Sequence, residues 1–210
     1  MLSRSYAQSL RTIFGVVGCL MIIFGVLSTP SVAKSKGDRV YTFNDKDELL
    51  QPMDWAVPSN WREEWIYVGT PVTPNDMNNG KASFPEFHSV YIHPDHYNVY
   101  KKTGAFPDGT ILIKEMTSVG SKQAVSGSGY FMGEYLGLEA TIKDSKRFKD
   151  EPGNWAYFSW TNHEGGPRKK TAKAEPAGKC NICHQAFAKD DWVFTQYYPV
   201  LRAAKPARGK

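Results

Sequence analysis

The clearest pattern along the chain is a two-residue alternation over residues 87–92. Phe87, Ser89 and Tyr91 fall on one side, and His88, Val90 and Ile92 on the other, as expected of a strand with two different faces. A helix is predicted to follow, with Pro94 in its first turn and Gly104 at its C-terminal cap. Phe106-Pro107-Asp108-Gly109 is a turn signal that opens an isoleucine-rich strand over 110–117. Gly127-Ser128-Gly129 marks the next turn. Residues 130–142 form a long strand pattern interrupted by Gly133 and Gly137, which read as bulges or places of close packing. A further aromatic strand is predicted over 155–161. The remaining segments are less regular. Residues 44–50 read as a short helix ended by Pro52, 61–67 as a short helix or strand, and 71–81 as a polar loop. Residues 171–179 read as irregular, and 191–201 as an aromatic closing segment. Four or so strands and a few short helices predict a β-rich α+β domain built on an antiparallel sheet.

Composition agrees with a globular domain. The chain has 210 residues, 41% hydrophobic and 13% aromatic, with a formal net charge of +5. The excess of positive charge is modest and forms no long stripe, so nucleic acid is not expected as a partner. The cluster Arg168-Lys169-Lys170 and the tail from Arg202 to Lys210 read as solubilising charge, with a weak acidic partner as the alternative.

The first segment reads as an address. Arg4 and Arg11 precede an uncharged apolar run over 13–27, and Ser31-Val32-Ala33 is a small-residue cleavage pattern. The run is short for a membrane span, although an uncleaved anchor is the alternative. Residues 1–33 are therefore expected to be a signal peptide and 34–210 the exported domain, with no stable membrane association after cleavage. Val17-Gly18-Cys19 is a poor lipoprotein signal, because the apolar run continues past the cysteine. Removal of Cys19 leaves Cys180 and Cys183, too few and too close for a disulfide scaffold.

Those two cysteines belong to Cys180-Asn181-Ile182-Cys183-His184, the Cys-x-x-Cys-His pattern of covalent heme attachment. Each thiol adds across one heme vinyl group, and the adjacent histidine becomes the iron's proximal ligand. A zinc half-site, a redox dithiol and chance are the competing readings. Zinc wants a second ligand pair, and a redox dithiol wants a βαβ context, which the pattern lacks. An exported chain favours heme c, one per chain. For the sixth coordination position Met53, Met77, Met116, Met132, His88, His93, His96 and His163 are available, and none has a decisive context. His93 and His96 read as solvated at a helix start, His163 as a surface residue, and His88 as either a satisfied core histidine or a pocket residue.

Lys114 is unusual for a different reason. Period two places it beside Leu112 and Met116 on an apolar face, where a lysine is costly unless paired or chemically used. An edge strand with a snorkelling lysine is one reading. A desolvated, nucleophilic lysine is the other.

Several segments together carry a wider resemblance. They are Phe84-Pro85-Glu86-Phe87, Phe106-Pro107-Asp108-Gly109-Thr110 with Lys114-Glu115, and Gly129-Tyr130-Phe131-Met132-Gly133-Glu134. Gly137-Leu138-Glu139-Ala140, Glu151-Pro152-Gly153-Asn154-Trp155-Ala156 and Tyr197-Tyr198-Pro199-Val200-Leu201 continue it around the heme motif. With these segments the chain resembles the cytochrome P-460 family from about Val40 to Ala204. The resemblance implies a β-rich periplasmic homodimer with one five-coordinate heme c per chain, held by Cys180, Cys183 and His184. It implies oxidation of hydroxylamine to nitrous oxide or nitric oxide, with a soluble c-type cytochrome as electron acceptor. It also implies a covalent bond from Lys114 to a heme meso carbon and a catalytic proton-accepting carboxylate at Glu175, with Glu134 as the fallback. His88 falls where the family's pocket carries a basic residue. The competing expectation is a nitric-oxide binder similar to the cytochromes c′-beta, without the lysine cross-link and with phenylalanines lining the distal side. A plain six-coordinate electron carrier is a third.

Overall fold

The computed structural model describes residues 40–162 and 166–207. The segment expected to be a signal peptide, with Cys19, and His163 and the last residues of the basic tail lie outside the described residues. In chain order the strands are β1 (Leu49–Leu50), β2 (Ile66–Gly69), β3 (Phe87–Ile92), β4 (Ile111–Val119), β5 (Gln123–Ala124), β6 (Gly127–Ser128), β7 (Met132–Lys143), β8 (Trp155–Ser159) and β9 (Thr171–Ala172). The helices are α1 (Trp61–Glu64), α2 (Pro94–Thr103), α3 (Asn181–Phe187) and α4 (Pro199–Ala204). Strands β2-β3-β4-β7-β8, in that order, form a five-stranded sheet, and β1-β9 and β5-β6 form two small ladders. Every pairing in the main sheet is antiparallel. The β-rich α+β class expected from the pattern is the class observed. Among the described residues no helix is long and apolar enough to cross a membrane.

The two-residue period gives the sheet two buried faces. Ile111 and Ile113 of β4, Leu138, Ala140 and Ile142 of β7, and Ala156 and Phe158 of β8 join one core cluster with Trp55, Trp61 and Trp65. Val90 and Ile92 of β3, Leu112 of β4, and Trp155 and Tyr157 of β8 join a second cluster with Tyr100 of α2 and Leu201 of α4. Neighbouring residues in one strand thus face different surroundings. Glu115 points into the first layer, where it is buried and bound by Arg62. Lys114, one residue earlier, belongs to the second.

Several local expectations hold. β3 has the expected bounds, α2 starts at Pro94, and Gly104 caps it in a left-handed conformation at φ 73°. Residues 61–67 contain both alternatives, a helical turn and then β2. β4 and β7 shift register between Met116 and Thr117 and again between Thr117 and Val119, opposite the stretch that contains Gly133 and Gly137. Both glycines are places of close approach. A Cβ on Gly137 would stand 2.2 Å from Thr161 Oγ1 and 2.7 Å from Met116 Cε.

Other expectations are corrected. Residues 44–50 form a tight turn running into β1 and contain no helix. Asn44 Oδ1 accepts from the amides of Lys46 and Glu48, and Asp47 sits at φ 60°. This side chain competes with helical backbone bonds, so the turn wins. The turn expected at 127–129 lies two residues earlier, because Gly127 and Ser128 pair with Gln123 and Ala124. The closing segment contains α4, opened by Pro199 and missed because its aromatic pattern hides a six-residue helix.

Gly137→Ala is expected to destabilise the domain by about 1–3 kcal/mol, the usual cost of overpacking. A urea unfolding midpoint equal to that of the wild type would show that the register shift can absorb a methyl group.

Candidate functional site

Sheet register assembles one half of the site. Val90, Lys114, Glu139 and Ser159 are direct cross-strand partners across β3, β4, β7 and β8. Lys114 Nζ lies 2.6 Å from Glu139 Oε2, and each side chain is about a quarter exposed (26% and 26%). β4 is the central strand of the sheet, so Lys114 is not an edge residue snorkelling to solvent. It is a half-buried cation held by a carboxylate on the adjacent strand. Its ammonium also stands 5.6 Å from the centre of the Phe84 ring.

The next row holds His88, Met116 and Gly137. His88 shares its face with Val90 and Ile92, as expected, and its ring meets Phe84 at 6.1 Å. His88 Nε2 is buried without a hydrogen-bond partner and lies 3.7 Å from Glu86 Oε1. Burial alone would push the Glu86 carboxyl up. His88 and Lys114 outweigh it and hold that carboxyl below its ordinary range.

The other half is built on α3. Cys180 is its N-cap, and Cys183 and His184 lie three and four positions on, so the three side chains share one helix face. Asn181 fixes the helix to the sheet. It is almost fully buried, and its Nδ2 donates to the Trp155 carbonyl at 3.0 Å. Ile182, the other intervening residue, is exposed. Both cysteines are free thiols. Burial pushes the Cys180 thiol up, and Glu139 and Glu175 add to the effect.

His184 is oriented from behind. Its Nδ1 lies 2.8 Å from the Trp192 carbonyl, so the tautomer that donates there leaves Nε2 with a free lone pair. Tyr157 and Phe194 pack on the imidazole at 4.4 and 4.6 Å. Burial lowers the His184 pKa, the Trp192 carbonyl opposes that shift, and Lys114 and Glu139 act with opposite signs. The two halves therefore lie within electrostatic reach of each other.

The Trp192 carbonyl is presented by an uncommon backbone. Asp191 and Trp192 are consecutive residues in the left-handed region, at φ 45° and 59°. For a residue as bulky as tryptophan this costs on the order of 1–3 kcal/mol and needs support from its surroundings.

This donor set fits heme c. Two unpaired thiols three positions apart can form the thioethers, and a neutral imidazole with one free nitrogen can bind iron. Among the described residues no group of three or more His, Cys, Asp or Glu side chains could hold a metal ion by itself.

The remaining expected residues are placed as follows. Glu175 lies beside β8, where its amide donates to the Tyr157 carbonyl at 2.8 Å and its carboxylate pairs with Lys179 at 2.8 Å. Glu134 is exposed on β7. Met53, Met77 and Met132 are exposed, whereas Met116 is buried. The reading of His93 and His96 as solvated is corrected. His93 packs on Trp65 at 5.3 Å and on His96 at 5.1 Å, and His96 Nδ1 accepts from the Ile111 amide. Both rings fill the join between α2 and the sheet. Sequence reasoning missed the roles of Glu139, Glu86, Tyr157 and Trp192 at the site. Glu139 occupies a polar slot between Leu138 and Ala140, and only strand register reveals its partner.

Fold and site together define a c-type heme protein. The family model for cytochrome P460 matches residues 58–195, and the chain belongs to that family. No curated protein matches it.

Replacing both Cys180 and Cys183 with Ala is expected to leave heme extractable by acidified solvent. Single replacement at either position should retain one covalent bond. Heme that stays with the double variant after denaturation and extraction would contradict the attachment site.

Proposed function

We propose that the protein is a periplasmic enzyme that oxidises hydroxylamine to nitrous oxide, nitric oxide or both at a lysine-cross-linked heme c. The observation that carries this reading is Lys114 itself. It is a half-buried lysine on the central strand, held at 2.6 Å by Glu139 and close enough to act on His184. A cation in that position has a partner to steady it and acts electrostatically on both Cys180 and His184 of the heme motif. Residues 1–33 are the signal peptide and 34–210 the exported enzyme, which works as a homodimer and passes electrons to a soluble c-type cytochrome.

Bound heme supplies a redox-active iron with an open coordination position for a small nitrogen ligand. The chain supplies the rest. His184 would hold the iron through Nε2 while the Trp192 carbonyl holds Nδ1. Lys114, steadied by Glu139 on the neighbouring strand, would be the residue that holds the macrocycle covalently. The oxidation releases one proton per electron, and Glu175 would take each in turn and pass it to solvent before the next. Lys179 keeps the Glu175 carboxylate oriented. His88, next to Glu86 and Phe84, would be the basic residue near the substrate.

A second reading is a nitric-oxide-binding protein without turnover. It is favoured by Phe84, whose ring stands 5.6 Å from the Lys114 ammonium and 6.1 Å from the His88 ring, in keeping with a distal side that carries phenylalanine.

Peptide mapping of the denatured holoprotein separates the two. Heme that ties the Lys114 peptide to the Cys180–Cys183 peptide supports the oxidising enzyme. Heme on the Cys180–Cys183 peptide alone supports the gas binder and demotes Lys114 to a structural cation. In the cross-linked protein, Glu175→Ala should lower hydroxylamine turnover roughly 100-fold or more while hydroxylamine still perturbs the heme spectrum. Undiminished turnover in that variant would remove Glu175 from the mechanism.

A further inference from the structure

The turn that carries the Trp192 carbonyl is held by more than its own backbone. Asp191 Oδ2 accepts from Lys143 Nζ at 2.6 Å, and Asp191 Oδ1 accepts from the Trp155 indole at 3.3 Å. Lys143 is itself pinned, donating to the Phe106 carbonyl at 3.2 Å. Trp155 is fully buried and cannot follow the turn if it moves. On the far side, Gly153 makes room for the Trp192 ring. A Cβ there would stand 2.6 Å from Trp192 Cε3. Asp191 is thus bonded to two fixed points, while its neighbour is wedged against a third.

None of these groups belongs to the heme motif, and none has a part in the chemistry proposed above. Their common effect is the position of one oxygen. The Trp192 carbonyl accepts from His184 Nδ1 at 2.8 Å, and the Tyr157 hydroxyl stands 3.5 Å from the same oxygen. A short hydrogen bond at Nδ1 fixes the rotation of the imidazole and makes Nε2 a stronger donor to iron. A turn with two consecutive left-handed residues would relax without its supports, and the carbonyl would turn with it.

We infer that Asp191 is a positioning residue for the proximal ligand. Together with Lys143 and Trp155 it locks the Asp191–Trp192 turn so that the Trp192 carbonyl sets the direction and donor strength of His184. Lys143 and Glu139 share one face of β7, so a single strand carries both the partner of Lys114 and the anchor of this turn. The inference rests on His184 as the iron ligand and is independent of the lysine cross-link and of hydroxylamine as substrate.

The test is the iron–imidazole stretching band of the ferrous holoprotein, read by resonance Raman spectroscopy. Asp191→Ala and Lys143→Gln are the variants. Asp191→Asn keeps an acceptor for Trp155 and serves as the conservative replacement. Lys173→Ala removes a distant surface pair with Glu48 and serves as the control. The expected result is a lower and broader band in Asp191→Ala and Lys143→Gln, partial recovery in Asp191→Asn, and no change in Lys173→Ala. Exchange of the proximal imidazole for added imidazole should become roughly 10-fold faster in the two disrupting variants. A purely structural role would lower the melting temperature and leave the band in place, and that result would overturn the inference. If the wild type is five-coordinate in the ferrous state and shows no iron–imidazole band, the assignment of His184 fails and the inference falls with it. A normal wild-type band that is unchanged in Asp191→Ala and Lys143→Gln overturns the inference alone. Lys143→Gln keeps the test decisive if Asp191→Ala does not fold, since it leaves the turn residues themselves intact.

Discussion

The antiparallel register of β3, β4, β7 and β8 is the constraint on which the site depends. Side chains alternate with a period of two, so a slip of one residue would send Lys114 into the tryptophan-rich layer and Glu115 toward the heme motif. Two ion pairs, one half-buried and one with a buried carboxylate, make either mistake costly. Lys114 meets Glu139 on one face, and Glu115 meets Arg62 on the other. Glu115 without Arg62 would be an unpaired buried charge, which is strongly disfavoured, whereas Lys114 and Glu139 would lose less because solvent screens them in part. The charges that look functional therefore also specify the fold. The same register places Tyr157 of β8 against His184 and brings Lys143 of β7 to Asp191.

A division of labour follows from this arrangement. One sheet face is closed by apolar packing that includes Trp55, Trp61 and Trp65, and it supplies most of the rigidity. The opposite face carries α2, α4 and the segment around α3, and it admits polar side chains such as Lys114, Glu139 and Lys143 that are held in ion pairs. Lys114, Glu139 and Lys143 sit on that face at positions that are apolar elsewhere in the sheet. A protein that must hold a cofactor in fixed orientation benefits from placing its polar groups on strands, because strand positions are more exact than loop positions.

How much of this could be read from the sequence depended on the range over which each feature is encoded. β3, the start of α2 at Pro94, the Gly104 cap and the close packing at Gly137 are short-range features and were legible. So were Cys180, Cys183 and His184, because heme attachment demands a contiguous pattern. The place of Lys114 on an apolar face was legible, but its partner was not. Glu139 is twenty-five positions away, and nothing between the two residues states how β4 and β7 align. The helix at Pro199 went unread and the turn at Asn44 was misread, each for a local reason. Residues 191–201 have an aromatic content that suits a strand, whereas Asn44 spends its side chain on two amides that a helix would have used.

The Asp191–Trp192 turn shows why the rest of the site escapes sequence reasoning altogether. Tryptophan is among the residues least expected at positive φ, so no propensity argument would place it there. What makes the conformation tolerable is distributed over Phe106, Lys143, Gly153 and Trp155, none adjacent to it in sequence. A strain held from four directions requires a reason, and the reason on this surface is a main-chain oxygen that meets His184. The heme motif alone specifies that a histidine follows a cysteine. It does not specify how that histidine is turned, and in this chain the turning is done by backbone that sequence patterns cannot display.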